Sequence, residues 1–530
     1  MSDGTDAQAG RFRRTLRWFD DRVGGAPAGR RALRKVFPGH WSFLIGEVAL
    51  YSFVILVVTG VFLTFFFEPS TREVTYDGPY APLRGQEMSA AYRSALELSF
   101  EVRAGLVMRQ VHHWAALVFL ASIVLHLARV FFTGAFRRPR EVNWMIGVTL
   151  LVLAIANGFF GYSLLDDLLS GTGLRVAWSI ALATPVLGPD LAFGLFGGEF
   201  PSASTIPRFF SLHVLVIPVV IGALLALHLG LLWRQKHTQF RGPGRTEDNV
   251  VGHRLWPGFL LRSTALFLMT GAVLTALGGL AQINPIWVYG PFSSTLTATA
   301  ATSASQPDWY MGWLDGALRI FPGWETRAFG FTIPNAFYPG VLLPTVTFGL
   351  LYAWPFIEAR ITHDRRSHHL LDRPRDAPWR TGLGAAVLSF YGLLFLAGSN
   401  DVLSGLIGVA PETLTNAFRV GVFVVPAGTF LLVRTLCDDL RRSGVHPGTG
   451  LRVEEITRGE HGELLERPAS EAGAAAREAE TGAAAREAET GAAAREAETG
   501  AAAREAGTGA AGPEVTDPDA DRSPSREPSP

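Results

Sequence analysis

The sequence predicts an all-α integral membrane protein with about eight transmembrane helices, the first four forming a bundle. Three observations predict it. Hydrophobic residues make up 48% of the 530 positions and mean hydropathy is +0.22. Apolar runs of roughly 20 residues, the length that crosses about 30 Å of hydrocarbon, recur along the chain. Basic residues gather in alternate loops.

Taken in order, the candidate spans are about 42–67, 109–133, 143–163, 209–233, 258–282, 338–358, 382–398 and 416–437. The N-terminal segment carries Arg11, Arg13, Arg14 and Arg17 but no short apolar run with a small-residue cleavage site before about residue 41. No cleaved signal peptide is therefore expected. The apolar stretch Val176 to Gly198 is broken by Pro185, Gly188, Pro189 and Asp190, which predicts two short surface helices in place of a ninth span.

Loop charge orients the spans. Arg137, Arg138 and Arg140 follow the second span, and Arg234, Lys236, Arg241, Arg245 and Arg254 follow the fourth. Arg360, Arg365, Arg366, Arg373, Arg375 and Arg380 follow the sixth, and Arg441 and Arg442 the eighth. Positive-inside charge then places both termini in the cytoplasm, with loops 68–106, 164–208 and 283–337 outside a cell membrane.

The expected organisation is a cytoplasmic segment at 1–40, a four-helix bundle at 41–240, a second membrane region at 241–440 and a cytoplasmic tail at 441–530. From about Glu466 the tail runs through a nine-residue near-repeat, Ala-Ala-Ala-Arg-Glu-Ala-Glu-Thr-Gly, without an apolar face, and is expected to be disordered. Formal net charge is zero, so nothing suggests a nucleic-acid partner. Cys437 is the single cysteine, which excludes an internal disulfide, a haem attached through Cys-x-x-Cys-His and an iron–sulfur cluster held by this chain alone.

Histidines inside the spans carry the chemistry. His112 and His126 are 14 residues apart on the second span, about 40° short of four turns and about 21 Å of rise. His213 and His228 are 15 apart on the fourth, about 60° past four turns and about 22 Å. Those two spans run in the same direction, so His112 can face His213 near the outer surface and His126 can face His228 near the inner one. A single intramembrane histidine is as often a helix-to-helix hydrogen bond as a ligand. Two matched pairs at a depth where polar groups are costly favour metal or haem ligation, since paired imidazoles suit six-coordinate haem iron. His113 lies about 100° round the helix from His112, and periodicity does not choose between them.

Gly46 and Gly60 on the first span and Gly147 and Gly161 on the third repeat the 14-residue interval. Glycine there lets a flat macrocycle approach the backbone; ordinary small-residue helix packing is the alternative. Arg109 and Arg129 stand three residues before His112 and three after His126, placed either to pair with propionates or to snorkel.

These residues resemble cytochrome b of the cytochrome bc complexes, the quinol-oxidising respiratory enzymes, over about residues 40–440. Arg109, His112, His126 and Arg129 match the Arg-x-x-His and His-x-x-Arg pattern of that family's second helix, which selects His112 over His113. His213 and His228 match its fourth helix, and the glycine quartet matches too. Pro307, Asp308, Trp309 and Tyr310 match the family's Pro-Glu-Trp-Tyr motif at the quinol oxidation site, with aspartate in place of glutamate. Gly173, in Ser170-Gly-Thr-Gly, corresponds to another quinol-pocket position. Tyr162 to Asp167 departs from the family's Pro-Trp-Gly, and no role is carried over there. Gln306 to Trp313, Arg365-Arg366 and Leu371 to Arg375 look like the actinobacterial form.

The resemblance implies two b-type haems, held by His112 with His213 and by His126 with His228, and menaquinol as substrate. It implies a Rieske iron–sulfur subunit, a cytochrome c subunit, a dimeric complex and a terminal oxidase joined to it. His113 is then expected to point away from iron. Pro307 breaks a helix and holds an irregular outer loop, where the Asp308 carboxylate could take a quinol proton and Tyr310 line the site. The alternative for that aromatic and acidic loop is interfacial anchoring. Lys236 and His237, just past the fourth span, are candidates for an inner quinone site or plain inside-positive loop residues. A dihaem anchor of a dehydrogenase or hydrogenase also fits the histidines but gives no reason for Pro307 to Tyr310. A transporter subunit would use the histidines only for packing or proton relay.

Overall fold

The computed structural model describes residues 14–198 except 16, 19 and 23, together with 202–292, 306–328, 330–443 and 454–468. The chain divides into a first unit, Met1–Pro447 with Ile456–Glu466, and a second, Gly448–Glu455 with Arg467–Pro530. The near-repeat expected to be disordered belongs to the second unit and lies outside the described residues.

Among the described residues, eight helices are long and apolar enough to cross a membrane. In chain order the helices are α1 (Ala26–Leu33), α2 (Trp41–Thr64), α3 (Ala90–Phe100), α4 (Gly105–Thr133) and α5 (Glu141–Ser163). They continue with α6 (Leu168–Leu182), α7 (Gly188–Phe196), α8 (Thr205–Gln235), α9 (Leu255–Leu280) and α10 (Ile286–Tyr289). The last are α11 (Trp309–Ile320), α12 (Tyr338–Thr362), α13 (Pro378–Ala397), α14 (Asn400–Ile407) and α15 (Pro411–Arg442). The spans are α2, α4, α5, α8, α9, α12, α13 and α15, each within a few residues of its expected position except where charged ends extend it.

Their outward faces are apolar and uncovered, as hydrocarbon-facing helices require: Val58 is 64% exposed and Phe423 76%. Small and hydroxyl residues fill the contacts instead. Ser42, Ala49, Ser52 and Thr59 are the buried positions of α2, which packs along α4. Tyr51 and Ser263 tie α2 to α9 by donating to Glu47 Oε2 at 3.1 and 2.8 Å, so that this carboxylate is not left unpaired within the bundle.

Helix ends follow local chemistry. α4 stops at Gly134, whose φ of 65° is the left-handed conformation a glycine takes without a Cβ clash. α6 begins at Asp167, whose side chain accepts from Ser170 N at 2.8 Å. That capped start precedes the apolar stretch seen in the sequence, so α6 and α7 are the two short helices expected there, with α6 longer than Val176 suggests. α8 is interrupted by a π-turn at Leu212–Val216 just before Pro218. Proline has no N–H to continue the α ladder, and the wider turn takes up one extra residue.

The described parts of the connections 68–106, 164–208 and 283–337 pack together at one end of the spans. Tyr92 Oη donates to the Ile286 carbonyl at 3.0 Å, and Phe292 N to the Asp166 carbonyl at 2.9 Å. At the other end, short strands join the basic loops: Val36–Phe37 runs antiparallel to His253–Arg254, and Gln239–Phe240 parallel to Leu370–Leu371. Leu464–Leu465, in the segment assigned from sequence to the tail, adds parallel to Val251–Gly252. The membrane part is all-α, and these small sheets lie in the loops.

Arg140 fastens that end. Its guanidinium donates to the carbonyls of His368 at 2.7 Å and Lys236 at 2.9 Å and meets His369 Nδ1 at 2.9 Å. Arg380, 7% exposed, bonds Glu358 and Asp372, each at 2.8 Å, and Arg137 closes on Asp372 at 2.9 Å.

Candidate functional site

Two histidine pairs meet between α4 and α8. The ring centroids of His112 and His213 are 6.1 Å apart, and those of His126 and His228 are 6.5 Å apart. The 14- and 15-residue intervals would leave the pairs out of phase on two regular helices. The π-turn at Leu212–Val216 removes the mismatch, because it adds a residue to α8 without adding a residue's worth of α rotation.

Hydrogen bonds from neighbouring helices set the tautomers of His112 and His213. His213 Nδ1–H donates to the Asn157 carbonyl at 2.9 Å. Thr59 Oγ1 spends its only hydrogen on the Ile55 carbonyl at 2.7 Å, so it accepts from His112 Nδ1–H at 2.9 Å. Both rings therefore keep a bare Nε2, the form that binds metal.

Four glycines stand against these rings. A Cβ built on Gly161 would fall 2.4 Å from His213 Cε1, and one on Gly60 3.2 Å from His112 Cε1. On Gly46 it would lie 3.1 Å from His126, and on Gly147 3.8 Å from His228. Arg109 and Arg129, at the ends of the ladder, each keep buried Nε and Nη2 groups with no hydrogen-bond partner among the described residues. Arg129 lies over the Phe43 ring at 4.3 Å, while Arg109 Nη1 donates to the Asn284 carbonyl at 3.3 Å.

These residues fit a haem. Metal–imidazole bonds of about 2.0 Å put two trans ring centroids roughly 6 Å apart. The glycines leave the flanking backbone bare, and the unpartnered guanidinium groups suit carboxylates. Among the described residues no three His, Cys, Asp or Glu side chains converge as a metal site. Each pair could thus hold a metal only as part of a group that brings further ligands of its own.

A cavity of about 610 Å³ lies at the outer-loop end, between α5, α6, α11 and α14. Of the motif residues, Pro307 lines it, as does Gly173, where a Cβ would come within 2.8 Å of Tyr162 Oη. Asp308 turns instead to α4: His113 Nε2 meets its two carboxylate oxygens at 2.9 and 3.0 Å, and Tyr310 Oη donates to it at 3.3 Å. Tyr310 is 4% exposed and lies over Gly158 of α5, where a Cβ would stand 2.6 Å from its hydroxyl. Burial and the Asp308 carboxylate hold its phenol well above the ordinary range. Trp309 packs edge-on to Tyr310 with centroids 6.1 Å apart.

His113 does point away from the His112–His213 pair, but sequence reasoning missed its carboxylate partner. The 100° offset from His112 was the available signal. Asp315, Arg319, Asn400 and Asp401, which form the polar wall of the cavity, were also missed. Asp315 falls two turns after Asp308, and that spacing could have marked it.

At the inner end, Lys236 Nζ is engaged by the Asp248 carbonyl at 3.1 Å. The His237 ring lies against Phe37 with centroids 4.6 Å apart. Burial, with Lys35, Arg140 and Arg129 nearby, holds its imidazole down at about 4, so the ring is neutral at physiological pH.

Comparison with known proteins places this arrangement. A family model described as cytochrome b(N-terminal)/b6/petB matches residues 117–291. A cytochrome bc1 complex cytochrome b subunit of Mycobacterium bovis is 53% identical over 426 residues, covering 80% of this chain and 77% of that protein. One from Corynebacterium diphtheriae is 52% identical over 425 residues, covering 80% and 78%. One from Streptomyces coelicolor is 46% identical over 461 residues, covering 86% and 83%. A solved chain of a hyperthermophilic respiratory Complex III shares the fold, with a TM-score of 0.58 at 20% identity, covering 80% of this chain and 99% of that one.

Proposed function

The chain belongs to the family of cytochrome bc1 complex cytochrome b subunits, components of quinol–cytochrome c reductase, and from that premise we propose that it is the dihaem subunit of a menaquinol:cytochrome c reductase. The observation that carries the reading is the pair of histidine couples at 6.1 and 6.5 Å, stacked along α4 and α8 with bare glycines on both sides. His112 with His213 would hold the outer haem and His126 with His228 the inner one, with Arg109 and Arg129 on the propionates and Gly46, Gly60, Gly147 and Gly161 against the macrocycles. Two haems, when bound, supply one-electron carriers across the membrane, so that the two electrons of a quinol can part between them and an iron–sulfur partner.

Quinol binds at the outer cavity beside Pro307, Trp309 and Gly173. Asp308 is the proton acceptor there. His113 and Tyr310 hold its carboxylate by hydrogen bonds on both oxygens, which offsets the methylene it lacks relative to the family's glutamate. Tyr310 also closes the site against α5. Near the inner face, neutral His237 and the neighbouring Lys236 serve a second quinone site, His237 as a hydrogen-bonding group and Lys236 as the basic donor that assists proton uptake. Protons are thus released outside and taken up inside a cell membrane, with both termini cytoplasmic.

The family implies Rieske and cytochrome c subunits as partners. A dimeric complex and an attached terminal oxidase complete the proposed assembly.

The test is a reduced-minus-oxidised absorption spectrum of the purified complex with a haem count. Two b-type haems per chain are expected, one lost in His213→Ala and the other in His228→Ala, with menaquinol oxidised faster than ubiquinol. Absence of b-type bands would overturn the haem assignment, and equal loss of both haems in either variant would overturn the pairing.

A further inference from the structure

The carboxylates that line the outer cavity are Asp315 and Asp401, not Asp308. Asp308 stands at the edge beside the lining residue Pro307, with both oxygens turned to His113 and one also to Tyr310. Asp315 is on the wall itself, on the same side of α11 as the lining residues Met311 and Leu318. Asp308 caps α11 from outside its helical turns and faces α4, whereas Asp315, about two turns further on, stands on the cavity side of the helix.

Asp315 is also wired to the surface. Its Oδ2 accepts from Arg319 Nε at 2.8 Å, and Arg319 Nη1 reaches Asp401 Oδ1 at 3.2 Å and Asn400 Oδ1 at 3.1 Å. Gln306 Nε2 donates to both oxygens of Asp401 at 3.0 and 3.2 Å. The Asp401 side chain is 35% exposed, so the network runs from the cavity wall to water.

We propose that Asp315 is a second catalytic acid–base residue of the outer quinol site, taking one of the two quinol protons and then releasing it to water at the Asp401 edge of the cavity, with Arg319 holding both carboxylates in place. The proposal rests on the outer-site reading above. When the quinol is oxidised, one O–H bond breaks toward Asp315 and the other toward Asp308. The two electrons leave to the complex's own one-electron acceptors, and the products are quinone and two protonated carboxyls, each of which then discharges to the outside.

The two acids divide the work by environment. Burial raises Asp315, and Asp401 adds to the rise while Arg319 opposes it. Asp401 is held below its ordinary value: burial pushes it up, but the Val402 N–H and Arg319 outweigh that. A proton accepted at Asp315 therefore has a definite residence in the cavity before it leaves. The charged and titratable groups facing Asp315 are Arg319 on its own helix, Asp401 on α14 and Tyr162 on α5.

The experiment compares Asp315→Asn, Asp315→Glu and Asp308→Asn in the intact purified complex, each first shown to hold its b-type haems. Asp315→Asn is expected to lower quinol oxidation roughly 10- to 100-fold, the scale of a lost general base, and to abolish the rise of rate with pH assigned to this acid. Asp315→Glu should restore most of the rate with that limb displaced. The second readout is the infrared difference spectrum between quinol- and quinone-loaded complex. A protonated-carboxyl band present in wild type and Asp308→Asn should vanish in Asp315→Asn and shift in Asp315→Glu.

A band unchanged in Asp315→Asn, with turnover within twofold of wild type and an unchanged pH profile, overturns the proposal. If Asp308→Asn is then inactive, the outer-site reading survives without it. If wild type itself oxidises no quinol, that reading has failed. Should Asp315→Asn lose its haems, Asp315→Glu decides alone, and an unshifted band and profile overturn the proposal.

Discussion

Replacing each of the four bundle glycines by alanine should weaken haem binding in an order set by distance. Ordinary contact to a Cβ begins at 3.4 Å. At Gly161 the added methyl would sit 2.4 Å from His213 Cε1, about 1 Å too close, so the ring or one of two packed helices must move. At Gly46 and Gly60 the shortfall is a few tenths of an ångström, and at Gly147, 3.8 Å from His228, there is none. Overpacking of the larger kind costs about 1–3 kcal/mol, and 1.4 kcal/mol is a factor of ten in occupancy. The outer haem should therefore be lost most in Gly161→Ala, by roughly 5- to 150-fold in affinity. Gly60→Ala and Gly46→Ala should lose less than tenfold at the outer and inner sites, and Gly147→Ala should be nearly full. The assay is the haem-to-protein ratio of the purified complex with a redox titration that resolves the two centres. A full outer haem in Gly161→Ala, or a loss in Gly147→Ala as large, would refute the reasoning.

Three further perturbations test other parts of the structure. His113→Leu should lower quinol oxidation about 10-fold or more by freeing Asp308 while leaving both haem spectra intact, and His113→Gln, which keeps a donor, should be milder; turnover at both pH extremes checks it. Arg380→Met leaves Glu358 without its cation while Arg137 still holds Asp372, and should destabilise the protein by about 3–5 kcal/mol, read as a lower Tm of the purified chain. Below pH 6.5 the unfolded chain protonates His237 while the folded one, held down at about 4, does not. Stability from this group is complete above about 6.5 and declines as pH falls toward about 4, by an amount on the order of 2–3 kcal/mol that His237→Phe should abolish in pH-dependent denaturation.

The membrane spans were legible because hydrocarbon imposes one rule on every outward face, and apolar run length reads it directly. The histidine intervals were legible for the same reason: few side chains so polar are tolerated at that depth. Their phase was not. A 15-residue interval is wrong for a regular helix facing a 14-residue one, and nothing local in Leu212 to Val216 announces a π-turn except the proline at 218. The outer cavity was half legible, through Pro307 and Gly173. Asp315, Arg319 and Asp401 come from two helices with a span-length helical pair between them, and Asp308 was assigned to a pocket whose wall it does not form.

By itself the sequence determined the eight candidate spans and which residue types stand at two depths along them, because each follows from solvent and helical period acting on neighbours in the chain. Tertiary structure decided which nitrogen of His112 and His213 is bare, that His113 holds Asp308, and that Asp315 stands on the cavity wall. Those outcomes depend on Asn157, Thr59 and Asp401, brought alongside by other helices across distances that no local pattern encodes.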